Sequence, residues 1–142
     1  MLLVRTYLDR SSIHGLGLYA GEDIRAGTLI WELMDGFDFV VDPATVEKMP
    51  PVAREWIDRY GYLCEPRNGY VICADDARFF NHSADPNTKS TSYLHTVALR
   101  DIEMGEELTC NYFEFDQTAE NHFKDGCHTA VNSKAEMLPE TA

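Results

Sequence analysis

Two short segments constrain this chain more than any other part of its sequence. RFFNHSADPN runs from Arg78 to Asn87, and GEELTCNY runs from Gly105 to Tyr112. The first segment places Phe79 and Phe80 beside several hydrogen-bonding side chains. A surface loop has little use for adjacent phenylalanines, and a core strand has little use for Asn-His-Ser. The mixture indicates a site with buried hydrogen bonds, and the second segment ends on a phenol that can donate and accept them.

The length and the cysteines place broad limits on the class of protein. The 142 residues suffice for one domain with a hydrophobic core that needs no disulfide bonds. The N-terminal stretch lacks a long apolar run, so we expect neither a signal peptide nor a membrane span. No CxxC spacing occurs among the cysteines, and the default expectation is reduced thiols: Cys64, Cys73, Cys110 and Cys127.

The charge balance is strongly acidic. The chain has 12 Lys and Arg residues against 24 Asp and Glu residues, a net charge of −12. A duplex nucleic-acid binder needs a basic face, so this balance argues against that class. It permits attraction of a basic partner such as a Lys/Arg-rich peptide. Simple solubility is the more ordinary explanation of the charge taken alone.

Short strand patterns outnumber helical ones and predict a mainly β domain. Strands are expected at 4–8, 17–20, 28–33, 37–41, 62–64, 70–74, 94–99 and 107–112. The Asp35-Gly36 and Asn68-Gly69 pairs predict hairpin turns.

Two helices are expected, and one sequence pattern occurs twice. Asp42-Pro43 and Pro51 are typical helix starts. In the second helix an apolar stripe recurs at every fourth residue: Val52, Trp56 and Tyr60. Residues 20–30 and 98–108 match at several positions, and each predicts strands around a turn that needs a permissive Gly, at Gly27 and Gly105.

Three blocks occur in a fixed order: IHGLGLYA (13–20), RFFNHSADPN (78–87) and GEELTCNYFEFD (105–116). Together they resemble the SET-domain protein-lysine methyltransferases in a compact, stand-alone form. The resemblance covers residues 5–116, and we expect residues 117–142 to form a partly ordered tail. It implies a fold of several small sheets, the β-clip, with few short helices. A knot-like C-terminal crossing would bring the Asn-His-Ser run beside the second segment.

The resemblance implies transfer of a methyl group from S-adenosyl-L-methionine to the ε-amino group of a lysine. Tyr112 matches the catalytic tyrosine, and Tyr62 matches, more loosely, a tyrosine of the lysine channel. Cys110 stands where many relatives have a Phe or Tyr that limits the number of methyl groups, so we expect room for di- or trimethylation. The positions that match the cofactor-binding blocks are Gly15, Leu16, Gly17, Arg78, Asn81, His82 and Tyr112.

Several positions depart from the family pattern. Asn111 replaces a common Asp, and Ala84 replaces the Cys found in relatives whose C-terminal segment binds zinc. With Cys127 as the tail's one cysteine, we expect no structural zinc. The adenine then needs another cover, for which the candidates are Phe113, Phe115 and Phe123.

We expect a basic, Lys-containing protein substrate and no direct contact with nucleic acid or membrane. A homodimer is an open option. The expected location is the cytoplasm, or the nucleus for a eukaryotic or viral source. Two alternatives stay open. One is a degenerate SET fold that binds a peptide or partner without catalysis, and the other is a zinc-binding module built from scattered Cys and His residues.

Overall fold

A computed structural model describes residues 1–126 of the chain. Within that range the chain forms two α-helices, α1 (Pro43–Glu47) and α2 (Pro51–Tyr60). The strands are β1 (Thr6–Arg10), β2 (Leu16–Ala20), β3 (Leu29–Glu32), β4 (Phe39–Val41), β5 (Tyr62–Cys64), β6 (Gly69–Ile72), β7 (Asn81–His82), β8 (Thr88–Thr91), β9 (His95–Ala98) and β10 (Thr109–Cys110). Short 3-10 segments cover Glu65–Arg67, Asp76–Phe79, Tyr112–Glu114 and Ala119–Gly126.

The strands form four small sheets in the described part of the chain. β1 pairs with β2, β3-β9-β8 and β4-β6-β5 form antiparallel sheets, and β7 pairs with β10 in parallel. The expected mainly β fold with few short helices is confirmed. Both helix starts are confirmed as well, since Pro43 and Pro51 open α1 and α2, and the Asp42 carboxylate accepts from the Ala44 N–H.

The hairpin predicted around Asp35-Gly36 is wrong. β3 pairs with β9, whereas β4 pairs with β6 in a different sheet. The buried Asp38 carboxylate explains the divergence. Its Oδ2 accepts from the Met34 N–H at 3.0 Å and its Oδ1 accepts from the Ala74 N–H at 3.0 Å. These bonds fasten the turn to the segment after β6. The hairpin predicted around Asn68-Gly69 does form, between β5 and β6.

The two similar sequence segments lie against each other. Ile24 and Ile102 exchange backbone hydrogen bonds of 2.8 and 2.7 Å. Gly27 and Gly105 both have positive φ angles, +85° and +97°, as the turn chemistry requires. The two isoleucines join Leu18, Ile30 and Leu108 in the main core, where full burial of such a side chain contributes about 1.5–3 kcal/mol.

The apolar stripe of α2 is largely on the surface. Val52 is 72% exposed and Trp56 is 43% exposed, whereas Ile57 is the buried residue of the helix. Ile57 packs with Val46 and Ile72. The stripe serves a different surface, because the ring of Trp56 contacts Tyr60, whose ring in turn contacts Phe79 in the first sequence motif.

The parallel pair of β7 and β10 brings the two sequence motifs together. Thr109 is opposite Asn81, and Cys110 is opposite His82. The buried Asn87 side chain supports this crossing, since it donates to Glu107 O at 2.8 Å and accepts from the Thr109 N–H at 2.9 Å. The strand expected over 107–112 is shorter, because Tyr112 begins a 3-10 turn whose cap is the Asn111 side chain.

Candidate active site

Two cavities meet beside the crossing. The larger is an open cleft of about 640 Å³ between the Gly15-Leu16 loop and the first sequence motif. The smaller, about 70 Å³, is a narrow channel. Residues that line both are Arg59, Tyr60, Arg78, Phe80 and Tyr112. A molecule in the cleft and a side chain in the channel would therefore meet at these residues.

Asn81 ties the glycine loop to the crossing. Its side-chain N–H₂ group donates to His14 O at 3.0 Å, Leu16 O at 3.1 Å and a Glu107 carboxylate oxygen at 2.9 Å. Asn81 is 4% exposed, so these bonds replace water in a buried place. Three of the predicted cofactor-binding residues, Gly15, Leu16 and Asn81, are thus brought together along one wall of the cleft.

Glu107 is a residue of this site that the sequence reasoning missed. Its carboxylate accepts from Asn81 and, at 2.9 Å, from the Ser11 hydroxyl. A Cβ atom on Gly17 would lie 2.3 Å from Glu107 Oε2. Gly17 does not line the cleft, so its missing side chain makes room for this carboxylate. The sequence signal that could have revealed it is the pair of adjacent acidic residues, Glu106 and Glu107, in the second motif.

His82 serves the crossing and lies outside the lining of the cleft. The Tyr112 N–H donates to His82 Nδ1 at 3.2 Å, which leaves the ring proton on Nε2. Burial, helped by the charge of nearby His122, lowers the pKa of His82 to about 4. Nε2 is buried and has no hydrogen-bond partner among the described residues. A neutral, buried imidazole argues against a general base, and the predicted contact of His82 with the cofactor stays a prediction.

Tyr112 stands at the junction of the two cavities. Its hydroxyl donates to Phe80 O at 2.6 Å, while its backbone N–H is fixed by His82. Because the phenol proton is directed to Phe80, the oxygen acts as an acceptor toward other neighbours. The Asn111 side chain caps this turn by accepting from the Phe113 N–H at 3.0 Å, so Asn keeps the capping that an Asp would provide.

The channel is narrow and its walls are largely aromatic. Tyr62 lines it and donates its hydroxyl to Tyr93 O at 3.0 Å. Cys110 lines it too and is 5% exposed. Burial raises the pKa of the Tyr62 phenol and of the Cys110 thiol, so both groups stay neutral. The predicted channel residues Tyr62 and Cys110 are therefore brought together beside Tyr112.

The three candidate adenine covers occupy different places. The rings of Phe113 and Phe123 are stacked, with centroids 5.8 Å apart, and each meets His82 edge-on. Phe115 instead packs edge-on against Tyr62 at 5.0 Å and lines the channel. None of the three lines the cleft, so the cover of the adenine stays a prediction, and Phe115 is a channel residue.

No group of three or more metal-binding side chains occurs among the described residues. Cys127 and His128, on which the zinc expectation depends, lie outside them. In the same part of the chain no helix has the length and apolar character needed to cross a membrane.

The sequence matches the family model of the SET domain over residues 15–113. The chain belongs to the SET-domain family. This match covers the glycine loop, the crossing and the junction tyrosine of the site described above. The fold class expected from the sequence is confirmed.

Known proteins resemble this SET domain over most of its length. Human histone-lysine N-methyltransferase 2D is 32% identical over 133 residues, covering 86% of this chain and 2% of the relative. The H3 lysine-4 specific histone-lysine N-methyltransferase of Aspergillus oryzae is 33% identical over 117 residues, covering 72% and 9%. The chain thus spans only a small part of these relatives.

A solved structure shares the fold. Chaetomium thermophilum Polycomb Repressive Complex 2, in an autoinhibited conformation bound to S-adenosylmethionine, matches with a TM-score of 0.59 and 25% identity. The match covers 82% of this chain and 16% of that one.

Proposed function

We propose that this chain transfers a methyl group from S-adenosyl-L-methionine to the ε-amino group of a lysine in a basic protein. The meeting of an open cleft and a narrow channel at Tyr112 carries this proposal. Such an arrangement would let a donor in the cleft and an acceptor in the channel meet at Tyr112, and holding reactants in line supplies much of catalysis. We assign the SET domain to residues 5–116 and the tail to 117–142.

The cleft suits the proposed cofactor. Gly15 has a φ of +48° and open space where a side chain would stand, so the loop backbone borders the cleft directly. Leu16 is 48% exposed on the same wall and offers an apolar surface to a flat base. Arg78 offers donors for polar groups, whereas the Asn81 N–H₂ group is bonded to the loop and to Glu107 and holds this wall in place. When bound, the cofactor would supply a methyl group on a sulfonium centre.

The channel favours a neutral lysine. A free lysine has a pKa of about 10.4 and is charged at neutral pH, and an ammonium group has no lone pair with which to attack. The rings of Tyr62 and Phe115 in the channel walls offer little hydration to a cation. Arg59 and Arg78 line the channel too and repel a cation, whereas the Asp116 carboxylate in the same lining is paired with His122 at 2.8 Å. Desolvation lowers the pKa of the amine, and a neighbouring sulfonium would lower it further. The same walls would hold the alkyl stem of the lysine.

Tyr112 is the proposed catalytic residue. Its hydroxyl points its proton at Phe80 O, so the oxygen lone pairs can face a positively polarised methyl group at the junction. This contact would orient the methyl group without any ionisation of the phenol, which is a poor base at neutral pH. Cys110 and Tyr62 would shape the channel next to it.

A histone is the proposed substrate class. The relatives are named histone-lysine methyltransferases, and a chain with a net charge of −12 attracts basic segments. A chromatin substrate would place the enzyme in contact with chromatin, and the relatives' names give no support to the cytoplasmic expectation. The proposed homodimer stays a prediction.

The direct test incubates purified protein and methyl-labelled cofactor with core histones and, in parallel, with acidic control proteins. We expect label on a histone lysine, located by mass spectrometry, and little on the acidic controls. Cofactor binding without transfer to any basic protein would favour the non-catalytic alternative. No binding of S-adenosylmethionine or S-adenosylhomocysteine would contradict the proposed function altogether.

A further inference from the structure

Two arginines converge where the cleft and the channel meet. Arg59, in the last turn of α2, has its guanidinium carbon 5.5 Å from the centre of the Tyr60 ring. Arg78, from the first sequence motif, has its guanidinium carbon 5.9 Å from the same ring and 4.9 Å from that of Phe79. One aromatic ring thus attracts two cations that repel each other.

Neither guanidinium forms an ion pair with a carboxylate among the described side chains. Arg78 donates to the backbone oxygen of Asp75 at 3.3 Å, a neutral partner. In a chain with 24 acidic and 12 basic residues, two neighbouring arginines without an acidic partner are unexpected. Such a pair, lining a cleft, is suited to an anion brought by a ligand.

Arg59 also acts electrostatically on His14 of the glycine loop. Burial lowers the pKa of His14, and the positive charge of Arg59 adds to that effect. The charge of Arg59 therefore acts on the loop that Asn81 holds through His14 O, and both residues line the same cavity.

We propose that Arg59, together with Arg78, binds the carboxylate of the methionyl group of S-adenosyl-L-methionine. This inference rests on the proposed function. Transfer requires the sulfur of the donor at the junction of cleft and channel, and the carboxylate is a short carbon chain away from that sulfur. The junction residues Arg59 and Arg78 supply the positive charge that this carboxylate requires, and a guanidinium pairs with a carboxylate through parallel hydrogen bonds.

The two arginines have different roles to play in this contact. Arg78 is braced by its bond to Asp75 O and its stacking on Phe79. Arg59 is exposed and reaches the site from a separate element. The carboxylate of the cofactor would therefore bind one braced and one exposed guanidinium, from two separate elements.

The test compares two ligands by calorimetry: S-adenosylhomocysteine and its carboxamide analogue, which has a similar shape without the negative charge. In the wild-type protein we expect the acid to bind roughly 10- to 100-fold more tightly, the range of a charged hydrogen bond. Arg59→Met should remove most of that preference, because it should weaken the binding of the acid and leave the binding of the amide nearly unchanged. Arg59→Lys should restore part of it.

Arg54→Met is the matched control, since Arg54 lies on the same helix, is exposed and lines neither cavity. It should leave the preference unchanged. Equal weakening of both ligands by Arg59→Met, or no weakening of either, would overturn the inference. An effect of Arg59→Met on the KM for the protein substrate alone would overturn it too, by assigning Arg59 to the substrate. Absence of wild-type binding to either ligand would instead count against the proposed function.

Discussion

A Cβ atom placed on Gly17 would lie 2.3 Å from Oε2 of Glu107. The two residues are distant in sequence, and the carboxylate cannot simply move aside because Ser11 and Asn81 hold it. The position of the Glu107 carboxylate therefore depends on the absence of a side chain at Gly17. Glu107 also accepts from Asn81, which holds the loop that borders the cleft.

Gly17→Ala should displace the Glu107 carboxylate and weaken both the fold and the cofactor site. We expect a loss of about 1–3 kcal/mol in the free energy of unfolding, as for other overpacked sites, and weaker binding of S-adenosylhomocysteine. Urea unfolding and calorimetry measure the two effects. The control is the double variant with Glu107→Asp, whose shorter side chain leaves more room. Equal costs of Gly17→Ala in both backgrounds would contradict the proposed contact.

Asn81→Asp should be more damaging than Asn81→Ala. The Asn81 amide donates to two carbonyl oxygens and to the Glu107 carboxylate. A carboxylate there faces only acceptors and one like charge, and an unpaired buried charge is costly. The damage should shrink as pH falls and the new acid is protonated. Thermal unfolding of both variants at pH 5 and pH 7.5 measures this, and identical behaviour of the two variants would refute it.

His82 should make the fold less stable in mild acid. Its pKa is lowered to about 4 by burial, with a contribution from His122, whereas an unfolded histidine titrates at about 6.5. Between these values the unfolded chain binds a proton that the folded chain excludes. The stabilisation is therefore complete above pH 6.5 and is lost as pH falls toward 4.

The groups around His82 include Tyr112, Phe113, Phe123 and His122. His82→Asn should flatten the dependence of the urea midpoint on pH between 4.5 and 7. His95→Asn, at a half-exposed histidine, should leave the slope in place. An unchanged slope in His82→Asn would show that another group titrates.

Cys110→Tyr should reduce the number of methyl groups added to a lysine. Cys110 lines the narrow channel beside Tyr112, and a larger side chain would fill the space that further methyl groups need. We expect di- or trimethyl products from the wild-type protein and monomethyl product from the variant, by mass spectrometry. Cys64→Ala, at a buried cysteine outside the channel, should not change the product. Monomethyl product from the wild type would contradict this account.

The sequence predicted those parts of the fold that depend on local chemistry. Asp42-Pro43 and Pro51 predicted the starts of both helices, and Asn68-Gly69 predicted a hairpin that forms. The hairpin predicted from Asp35-Gly36 was wrong, because a turn signal does not reveal whether the two strands beside the turn pair with each other. The buried Asp38 carboxylate, which directs β4 elsewhere, looks like any acidic residue in the sequence.

The motif residues of the site were predictable, and their contacts were not. The structure brings Asn81 onto the strand that pairs with β10 and places Tyr112 and Tyr62 along one channel, while their roles stay predictions. Arg59 was missed because an exposed arginine in an amphipathic helix has no distinguishing pattern. Its position at the junction follows only from the packing of α2 near the first motif.

The rate of methyl transfer by Tyr112→Phe tests the central claim most directly. Cofactor affinity by calorimetry and single-turnover transfer to a histone would be measured on both proteins. We predict a transfer rate at least about 100-fold lower, the scale of losing one oriented polar group at a reacting centre, with the affinity for S-adenosylhomocysteine nearly unchanged. A variant that transfers methyl groups as fast as the wild-type protein would contradict the catalytic role of Tyr112.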